Sequence, residues 1–326
     1  MIKLRCLLYP RNLPRLPRLS GAAAKRHFPA SRAAGKKARL KSFSYVPLLT
    51  IAVCLAISGP GAATAASMKS NQIRVEYVLP KNPAHQSIYE RVKAAHSLEL
   101  IQKLLSPIRL PRPLLLKVSG CDGESNAWYD DEGVTVCYEY LADILKKAPE
   151  QTLPSGVTPE DAVNGPFLDV FLHETGHAVF DLLKVPVFGR EEDAADSFSA
   201  YITLQLGKED AHKLIMGSAY QYQDDLLSPQ VSLALTKFAD EHGIPVQRYF
   251  DLLCIAYGAD QKLFADVVEK GYLPKDRAEG CEGEYEQTAF AFKKLIDPYI
   301  DKKVQKKVLV TWMRDVNVRP KYQPKQ

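Results

Sequence analysis

The sequence predicts an α+β fold in which a small antiparallel or mixed sheet packs against one central helix and a mainly helical part follows. Strand-like alternation is concentrated early in the chain, whereas helical periodicity dominates from the middle onward. About 260 residues remain once a basic leader is set aside, which suffices for one domain or for an α+β lobe with a helical lobe.

The predicted elements follow one another in a simple order. Apolar residues predict a strand over residues 73–79 and a helix over residues 84–105. Two further strands, over residues 114–119 and 134–138, flank a polar loop. Helices then continue to about residue 299, so the helices are segregated behind the strands.

A helix over residues 166–184 carries the most informative motif of the chain. Pro166 suits the first helical turn, apolar residues surround the motif, and the Val185-Pro186 step ends the helix. The motif is His173-Glu174-Thr175-Gly176-His177.

The spacing of this motif predicts a metal site. Residues four apart lie on one face of a helix, about 5–6 Å from each other, so His173 and His177 can bind one ion. Glu174 lies beside His173 and reaches a water on that ion rather than the ion itself. Two imidazoles with such a base are typical of a catalytic zinc ion. The alternative is an amphipathic helix whose histidines are solvated or hydrogen-bonded in the core.

A second predicted helix, over residues 189–206, offers further ligands. A catalytic zinc ion usually has three protein ligands, so two histidines leave the site incomplete. Glu192 and Asp196 lie four residues apart in this helix. Residues 185–190 are long enough for the chain to fold back and place Glu192 beside the histidines. The alternative is a solvated acidic first turn that suits the helix dipole.

H-E-x-x-H followed by E-x-x-x-D resembles the gluzincin zinc metallopeptidases, typified by thermolysin, and the E-x-x-A-D form is also seen in a membrane-bound CAAX-protease-like group. The resemblance implies that Glu192 is the third zinc ligand and that Asp196 accepts a hydrogen bond from a ligand histidine. The stretch between His177 and Glu192 is shorter than in thermolysin-like enzymes. Glu191, Asp193 or Asp196 therefore remain alternative ligands.

The segment Asn126-Ala127-Trp128 stands in the predicted polar loop. Thermolysin-like enzymes have a similar Asn-Ala-aromatic segment on a sheet edge, so the resemblance implies that these three residues bind an extended peptide. The alternative is a plain turn, with Asn126 as a loop former and Trp128 in the core.

Four segments carry a broader resemblance: Cys-Asp-Gly-Glu-Ser-Asn-Ala-Trp-Tyr-Asp, His-Glu-Thr-Gly-His, Gly-Arg-Glu-Glu-Asp-Ala-Ala-Asp and the later Asp-Glu-His run. Together they resemble a bacterial family of zinc metallopeptidases built on a domain of unknown function, over about residues 75–300. The resemblance implies a zincin-like domain. We expect it over residues 66–310, with an α+β part over 71–206, a helical part over 207–300 and a flexible tail over 311–326.

Residues 1–65 have the layout of a secretory signal. Residues 1–42 contain twelve Lys or Arg and no acid, an apolar run covers residues 45–58, and Ala63-Thr64-Ala65 suits a cleavage site. We therefore expect an exported protein, periplasmic or secreted, that touches a membrane only through the leader if the leader is kept as an anchor. The alternative is a soluble basic arm that binds nucleic acid. After residue 58 no apolar stretch approaches about 18 residues, which excludes the membrane-embedded peptidase group.

Removal of the leader reverses the charge of the chain. The remainder has 31 basic and 38 acidic residues, so the formal net charge changes from +5 to −7. This balance argues against binding of nucleic acid or of an anionic membrane by the mature domain.

Four cysteines also remain, and an oxidising compartment favours disulfides between them. Cys121 with Cys137 would join the two predicted strands around the Asn-Ala-Trp segment. Cys254 with Cys281 would join two C-terminal helices. A structural zinc ion on the four sulfurs is the alternative, although no C-x-x-C spacing supports it.

A peptidase also needs a group that stabilises the charge of its transition state. His242 is the best candidate, because Asp240 lies two residues away and could orient it. Tyr220, Tyr222 and Tyr249 are weaker candidates. The alternative for His242 is a loop histidine near a helix end.

Together these features predict an exported zinc metallopeptidase that hydrolyses peptide bonds in a polypeptide or peptide substrate. His173, His177 and Glu192 would bind one zinc ion, and Glu174 would act as general base. Two alternatives remain: a cell-wall peptide amidase with the same metal chemistry, and a non-catalytic envelope protein that binds the metal.

Overall fold

The computed structural model describes residues 68–222 and 239–317, which all belong to one unit, Ala62–Gln326. The predicted leader, residues 223–238 of the predicted helical part and residues 318–326 of the predicted tail lie outside the described residues.

A four-stranded mixed sheet forms the β part of the fold. Its strands are β1 Ile73–Tyr77, β2 Leu114–Ser119, β3 Ala127–Asp130 and β4 Gly133–Cys137. The order across the sheet is β1-β2-β4-β3, with β1 and β4 parallel to β2 and β3 antiparallel to β4. This arrangement confirms the predicted α+β class with a small mixed sheet.

The burial of the strands explains their sequence patterns. In β2, the buried residues Leu114, Leu116 and Val118 alternate with half-buried ones, as expected where one face packs on the core. Every residue of β4 is buried. β3 occupies the segment for which the sequence left an edge strand and a plain turn open, and it forms the edge strand.

Helices pack against all four strands of this sheet, and among them α4 is central. It contacts β3, β4, α3, α5 and α6. The helices of the described residues are α1 Gln86–Ala94, α2 Ser97–Leu105, α3 Tyr138–Lys147, α4 Asp161–Leu183, α5 Glu191–Leu204, α6 Lys208–Tyr220, α7 Pro245–Ala259, α8 Ala265–Glu269, α9 Lys275–Ala278, α10 Cys281–Leu295 and α11 Lys302–Asn317.

None of these helices has the length and hydropathy that a membrane span requires.

The single helix predicted over residues 84–105 is wrong. A 3-10 turn at Pro83–His85 leads into α1, and His96 breaks the helix with a left-handed backbone, φ 49°. The break lets the next helix take a new direction and bury its own apolar face against the sheet. The buried residues of α2 are Leu98, Ile101, Leu104 and Leu105.

The start of α4 also differs from the prediction, because the helix begins at Asp161 and Pro166 lies inside it. Thr158 and Asp161 form a reciprocal cap: the backbone N–H of Asp161 donates to Thr158 Oγ1, and that of Thr158 donates to the Asp161 carboxylate. At the other end, left-handed Lys184 closes the helix, and the N–H of Val185 donates to the carbonyl of Phe180. The predicted stop is confirmed.

Two glycines allow α4 and α6 to pack closely. A Cβ atom built at Gly217 would lie 2.0 Å from the backbone oxygen of Asp161, and one built at Gly165 would lie 2.4 Å from the backbone nitrogen of Ser218. No side chain fits between the two backbones here. This contact therefore sets the position of α4 against the helical part.

Two disulfides connect neighbouring elements, with the predicted pairing. Cys121 bonds to Cys137 at the end of β4, and Cys254 of α7 bonds to Cys281 of α10. The first closes a loop that contains β3 and so restrains both ends of the hairpin that β3 forms with β4.

The last helix extends further than the sequence indicates. α11 packs against α2 and continues to Asn317, so residues 311–317 are helical, not an irregular tail.

Gly217→Ala tests the packing of α4 on α6. We expect a loss of about 1–3 kcal/mol in the free energy of unfolding, because the new methyl group must push two backbones apart. Gly283→Ala is the matched control, since a Cβ there meets no atom within 4 Å in the helix α10. It should be neutral or stabilising by up to about 1 kcal/mol. Urea unfolding measures both, and equal midpoints would contradict the role of Gly217.

Candidate metal centre and active-site cleft

The two histidines of the motif lie on α4 where α5 crosses it most closely. A Cβ built at Gly176 would lie 3.2 Å from Cα of Ala195, a fully buried residue. Gly176 is therefore the residue of the motif that lets α5 approach. Because Ala195 lies between Glu192 and Asp196 in α5, this contact brings both carboxylates to the histidines.

Three side chains converge on one point. Nε2 of His173 and Nε2 of His177 are 3.3 Å apart, and the Glu192 carboxylate lies 3.0 Å from the first and 3.4 Å from the second. One donor atom from each residue lies within 4.8 Å of the others. The edges of a tetrahedron around an ion with bonds of about 2.0–2.1 Å are about 3.3 Å long. The two imidazole nitrogens have this spacing, and the Glu192 carboxylate approaches the first with Oε2 and the second with Oε1, so the three side chains could hold one such ion.

The other nitrogen of His173 is held by Asp196. Nδ1 of His173 donates to Asp196 Oδ1 at 2.7 Å, and Arg248 of α7 donates to both oxygens of the same carboxylate at 2.6 and 2.8 Å. Burial opposes the charge of Asp196, but His173 and Arg248 lower its pKa to about 2. The charged Asp196 fixes the orientation and tautomer of His173.

His177 has an equivalent partner in Glu191. Nδ1 of His177 lies 2.8 Å from Glu191 Oε1, so Glu191 contacts the ring nitrogen that does not face His173. Two adjacent residues of α5 thus contact different parts of the site. Glu191 bonds to Nδ1 of His177, while Glu192 faces the Nε2 atoms of both imidazoles.

The charges of the centre are strongly coupled. Burial alone would lower the pKa of His173, yet its hydrogen bonds to Asp196 and Glu192 raise it to about 10. Burial would likewise raise the pKa of Glu192, but hydrogen bonds from three histidines hold it far below its usual range. Without a metal ion the positive charge of the centre is supplied by protons on the imidazoles.

Glu174 follows His173 and lines the same cleft. Glu174 is only 8% exposed, and burial raises the pKa of its carboxyl group. A carboxylate whose proton affinity is raised in this way is suited to take up and return a proton.

His242 also reaches the centre, although it lies outside the two ligand helices. Its Nε2 is 2.8 Å from Glu192 Oε2, and its ring stacks on that of His173 at 6.0 Å between centroids. Asp240 lies 3.4 Å from the other nitrogen, as the sequence suggested. Of the three tyrosines, Tyr220 and Tyr222 line the cleft, whereas Tyr249 is 3% exposed in the core of the helical part.

A cleft of about 690 Å³ opens beside the centre, with β3 along it. Ala127, Trp128 and Tyr129 line the cleft, and the hydroxyl of Tyr129 donates to Asp181 of α4 at 2.8 Å. Trp128 is half-buried at the cleft wall and so is not a core residue. The side chain of Asn126 accepts from the backbone N–H of Ala127.

The floor of the cleft is polar. Asp169, one helical turn before His173, accepts hydrogen bonds from Ser199 at 2.6 Å and from Gln221 at 3.3 Å. Tyr140 donates to the amide oxygen of Gln221 at 3.1 Å. Burial raises the pKa of Asp169.

The sequence missed Arg248 as the partner of Asp196, Glu191 as the partner of His177 and Asp169 in the floor of the cleft. Asp169 could have been found, because helical spacing places it on the same face of α4 as His173. Glu191 could also have been found, because the sequence left open which of the adjacent acids contacts the histidines. Arg248 is 52 residues from Asp196, and nothing local reveals that pairing.

A helix with two histidines and an interposed glutamate, crossed by a carboxylate-bearing helix, is the arrangement of a metal-dependent hydrolase. The chain belongs to the family described as "Putative metallopeptidase" (DUF4344), whose model matches residues 77–296. Family membership implies hydrolysis of peptide bonds with the aid of a metal ion. No curated protein and no solved structure matches the chain significantly.

Asp196→Asn tests the support of His173. We expect metal affinity to fall by about 10–100-fold, because the ligand loses its charged partner and Arg248 loses a paired charge. Asp193→Asn is the control in the same helix: its side chain is 49% exposed and lies 3.8 Å from Arg190. It should leave affinity nearly unchanged. Competition with a chromogenic chelator measures both, and equal losses would contradict this role of Asp196.

Proposed function

We propose that the protein is a zinc metallopeptidase in which His173, His177 and Glu192 bind one zinc ion and Glu174 is the general base. The observation that carries this proposal is the convergence of two imidazole nitrogens 3.3 Å apart with the Glu192 carboxylate, which lies 3.0 Å from His173 Nε2 and 3.4 Å from His177 Nε2. Two imidazoles and one carboxylate are a usual ligand set of catalytic zinc, which keeps its fourth position for water.

Zinc bound there would act as a Lewis acid and lower the pKa of a coordinated water to about 7. The residues of the chain supply the proton chemistry. Glu174 takes the proton of the attacking water and returns it to the leaving amine, a transfer that its burial and raised pKa favour. Asp196 and Glu191 keep the two imidazoles in place meanwhile.

His242 is proposed to stabilise the charge that develops on the carbonyl oxygen. Its Nε2 contacts Glu192, which raises its pKa, and its Nδ1 lies near Asp240. Once the Glu192 carboxylate binds zinc, the Nε2–H of His242 would turn to the carbonyl oxygen.

The substrate is proposed to bind as an extended peptide along β3. The N–H of Cys137 donates to the carbonyl of Asn126, so the alternation of the ladder directs the backbone groups of Ala127 and Tyr129 away from β4. The N–H of Ala127 already donates to the Asn126 side chain, so the carbonyl of Ala127 and both backbone groups of Tyr129 would pair with a peptide strand. Such a strand would then cross the cleft in front of the proposed metal centre.

Export is proposed from the two disulfides together with the leader sequence. Disulfides persist in the periplasm or outside the cell and are rare in a reducing cytosol.

Glu174→Gln is the test of the general base. We expect the variant to keep its zinc but lose about 10²–10⁴-fold in hydrolysis, because the amide cannot accept the proton. Glu160→Gln, at the start of the same helix and without a side-chain cap bond, is the control and should keep full activity. Zinc content and cleavage of a proteome-derived peptide library are measured together. Turnover retained by Glu174→Gln would refute the assignment.

Zinc binding should release protons at neutral pH. The pKa of His173 in the metal-free protein is raised to about 10, so this ring is protonated at neutral pH, and the pKa of His177 is also raised. Zinc needs the neutral rings, and at least about one proton per ion should therefore leave. Affinity should rise with pH toward the pKa of His173. Calorimetry in two buffers of different ionisation enthalpy measures the release; equal heats and a flat pH profile would contradict it.

A further inference from the structure

The basic residues of the chain are concentrated at its two ends. Residues 1–65 carry twelve basic residues and no acid, and residues 302–326 carry eight basic residues and one acid. Between them, residues 66–301 contain 23 basic and 37 acidic residues, a net charge of −14. The net charge of −7 for residues 66–326 is therefore the sum of a basic C-terminal end and a strongly acidic body.

The two ends of the described body meet on one side of the fold. Lys69 forms an antiparallel bridge with Leu110, and Ile300 forms one with Ile108. The backbone N–H groups of Lys69 and of Asp301 donate to the carbonyls of Leu110 and Pro107. Both ends thus flank one short segment, at about two strand spacings or 10 Å from each other.

The lysine-rich helix α11 starts from this point and exposes one charged row. Val308 is buried on the side that packs against α2, while Lys303, Lys306, Lys307 and Val310 are exposed at helical spacing. The exposed fraction of Val310 is 58%.

The carboxylates nearest to this row are already engaged. Asp297 forms an ion pair with Lys302, and Asp301 accepts from the backbone N–H groups of Lys303 and Val304. Within the described part of the chain, no ion pair involves the three lysines of the exposed row. Their charge is therefore available to a partner.

We propose that Lys69, Lys303, Lys306, Lys307 and Val310 form a basic face that docks on an anionic phospholipid bilayer. Lysines close to such a surface contribute about 1 kcal/mol each, and an exposed apolar residue among them suits the interface. The acidic body is repelled by the same surface, so the charge separation orients the molecule as well as attracting it.

A bilayer fits this face better than a nucleic acid does. The face is the convex side of a helix and has the exposed apolar Val310 among its lysines, which suits a bilayer interface, whereas single-stranded nucleic acids are bound in grooves with aromatic stacking. The chain upstream of Lys69 also contains the apolar run over residues 45–58. A leader that is kept would be a second membrane signal beside the basic face, and stable anchoring requires two.

Docking in this way leaves the cleft accessible. α2, which carries α11, packs on β1, and β1 and β3 are opposite edges of the sheet. The edge strand that lines the cleft therefore faces away from the membrane.

The test uses the purified full chain and co-sedimentation with vesicles of phosphatidylcholine alone or mixed with phosphatidylglycerol. The variant Lys303→Glu/Lys306→Glu/Lys307→Glu should lose at least about tenfold in binding to the anionic vesicles. The control Lys262→Glu/Lys270→Glu/Lys275→Glu makes the same charge change at exposed lysines elsewhere and should bind like the wild type. Both variants contain the leader, so any difference between them in vesicle binding comes from the basic face.

A variant with glutamine at the same three positions should lose part of the binding to anionic vesicles. It removes the positive charges without adding negative ones, so it tests the proposal even if the charge-reversed variant misfolds. Peptide hydrolysis should be unchanged in all variants, because none of these lysines touches the cleft. Equal binding of the two charge-reversed variants would overturn the proposal. So would a loss that appears with duplex DNA but not with anionic vesicles.

Discussion

The close contact between α4 and α5 is the constraint on which the candidate site depends. Gly176 lets Cα of Ala195 approach to about the limit of a van der Waals contact, and this distance decides which acids of α5 meet the histidines. Any larger side chain at position 176 would move the carboxylate of Glu192 relative to the imidazoles. The glycine of the motif is thus as important to the candidate metal centre as the histidines, although it offers no ligand atom.

Burial of so many charges is possible because they are arranged in layers. The imidazoles and Glu192 form the centre, Asp196 and Glu191 hold the imidazoles, and Arg248 neutralises Asp196 from behind. A buried carboxylate without a partner would cost several kcal/mol. Each layer therefore needs the next, and the arrangement is stable only as a whole.

The local parts of this structure were readable from sequence, whereas the long-range parts were not. Spacing in the helix predicted His173 and His177, and the length of the connection predicted that Glu192 could return to them. The cap at Thr158 and Asp161 is also a local sequence signal. The prediction used Pro166 instead and therefore placed the helix start five residues too late. The break at His96 has no signal in the residues around it, because the direction of α2 is set by its packing. Arg248 comes from a distant helix, and net charge alone concealed the separation of charge along the chain.

The residues of the candidate site lie close together in the sequence, whereas the rest of the cleft is built from distant segments. The proposed ligands and both imidazole partners lie within residues 173–196, on one pair of consecutive helices. The surfaces that would touch a substrate come from β3, α3, the end of α6 and the segment around His242. The proposed metal ligands thus come from one short helical hairpin, while most other residues of the cleft come from segments that fold around it. Substitutions in β3 and α3 could therefore change which substrate binds while the proposed ligands stay in place.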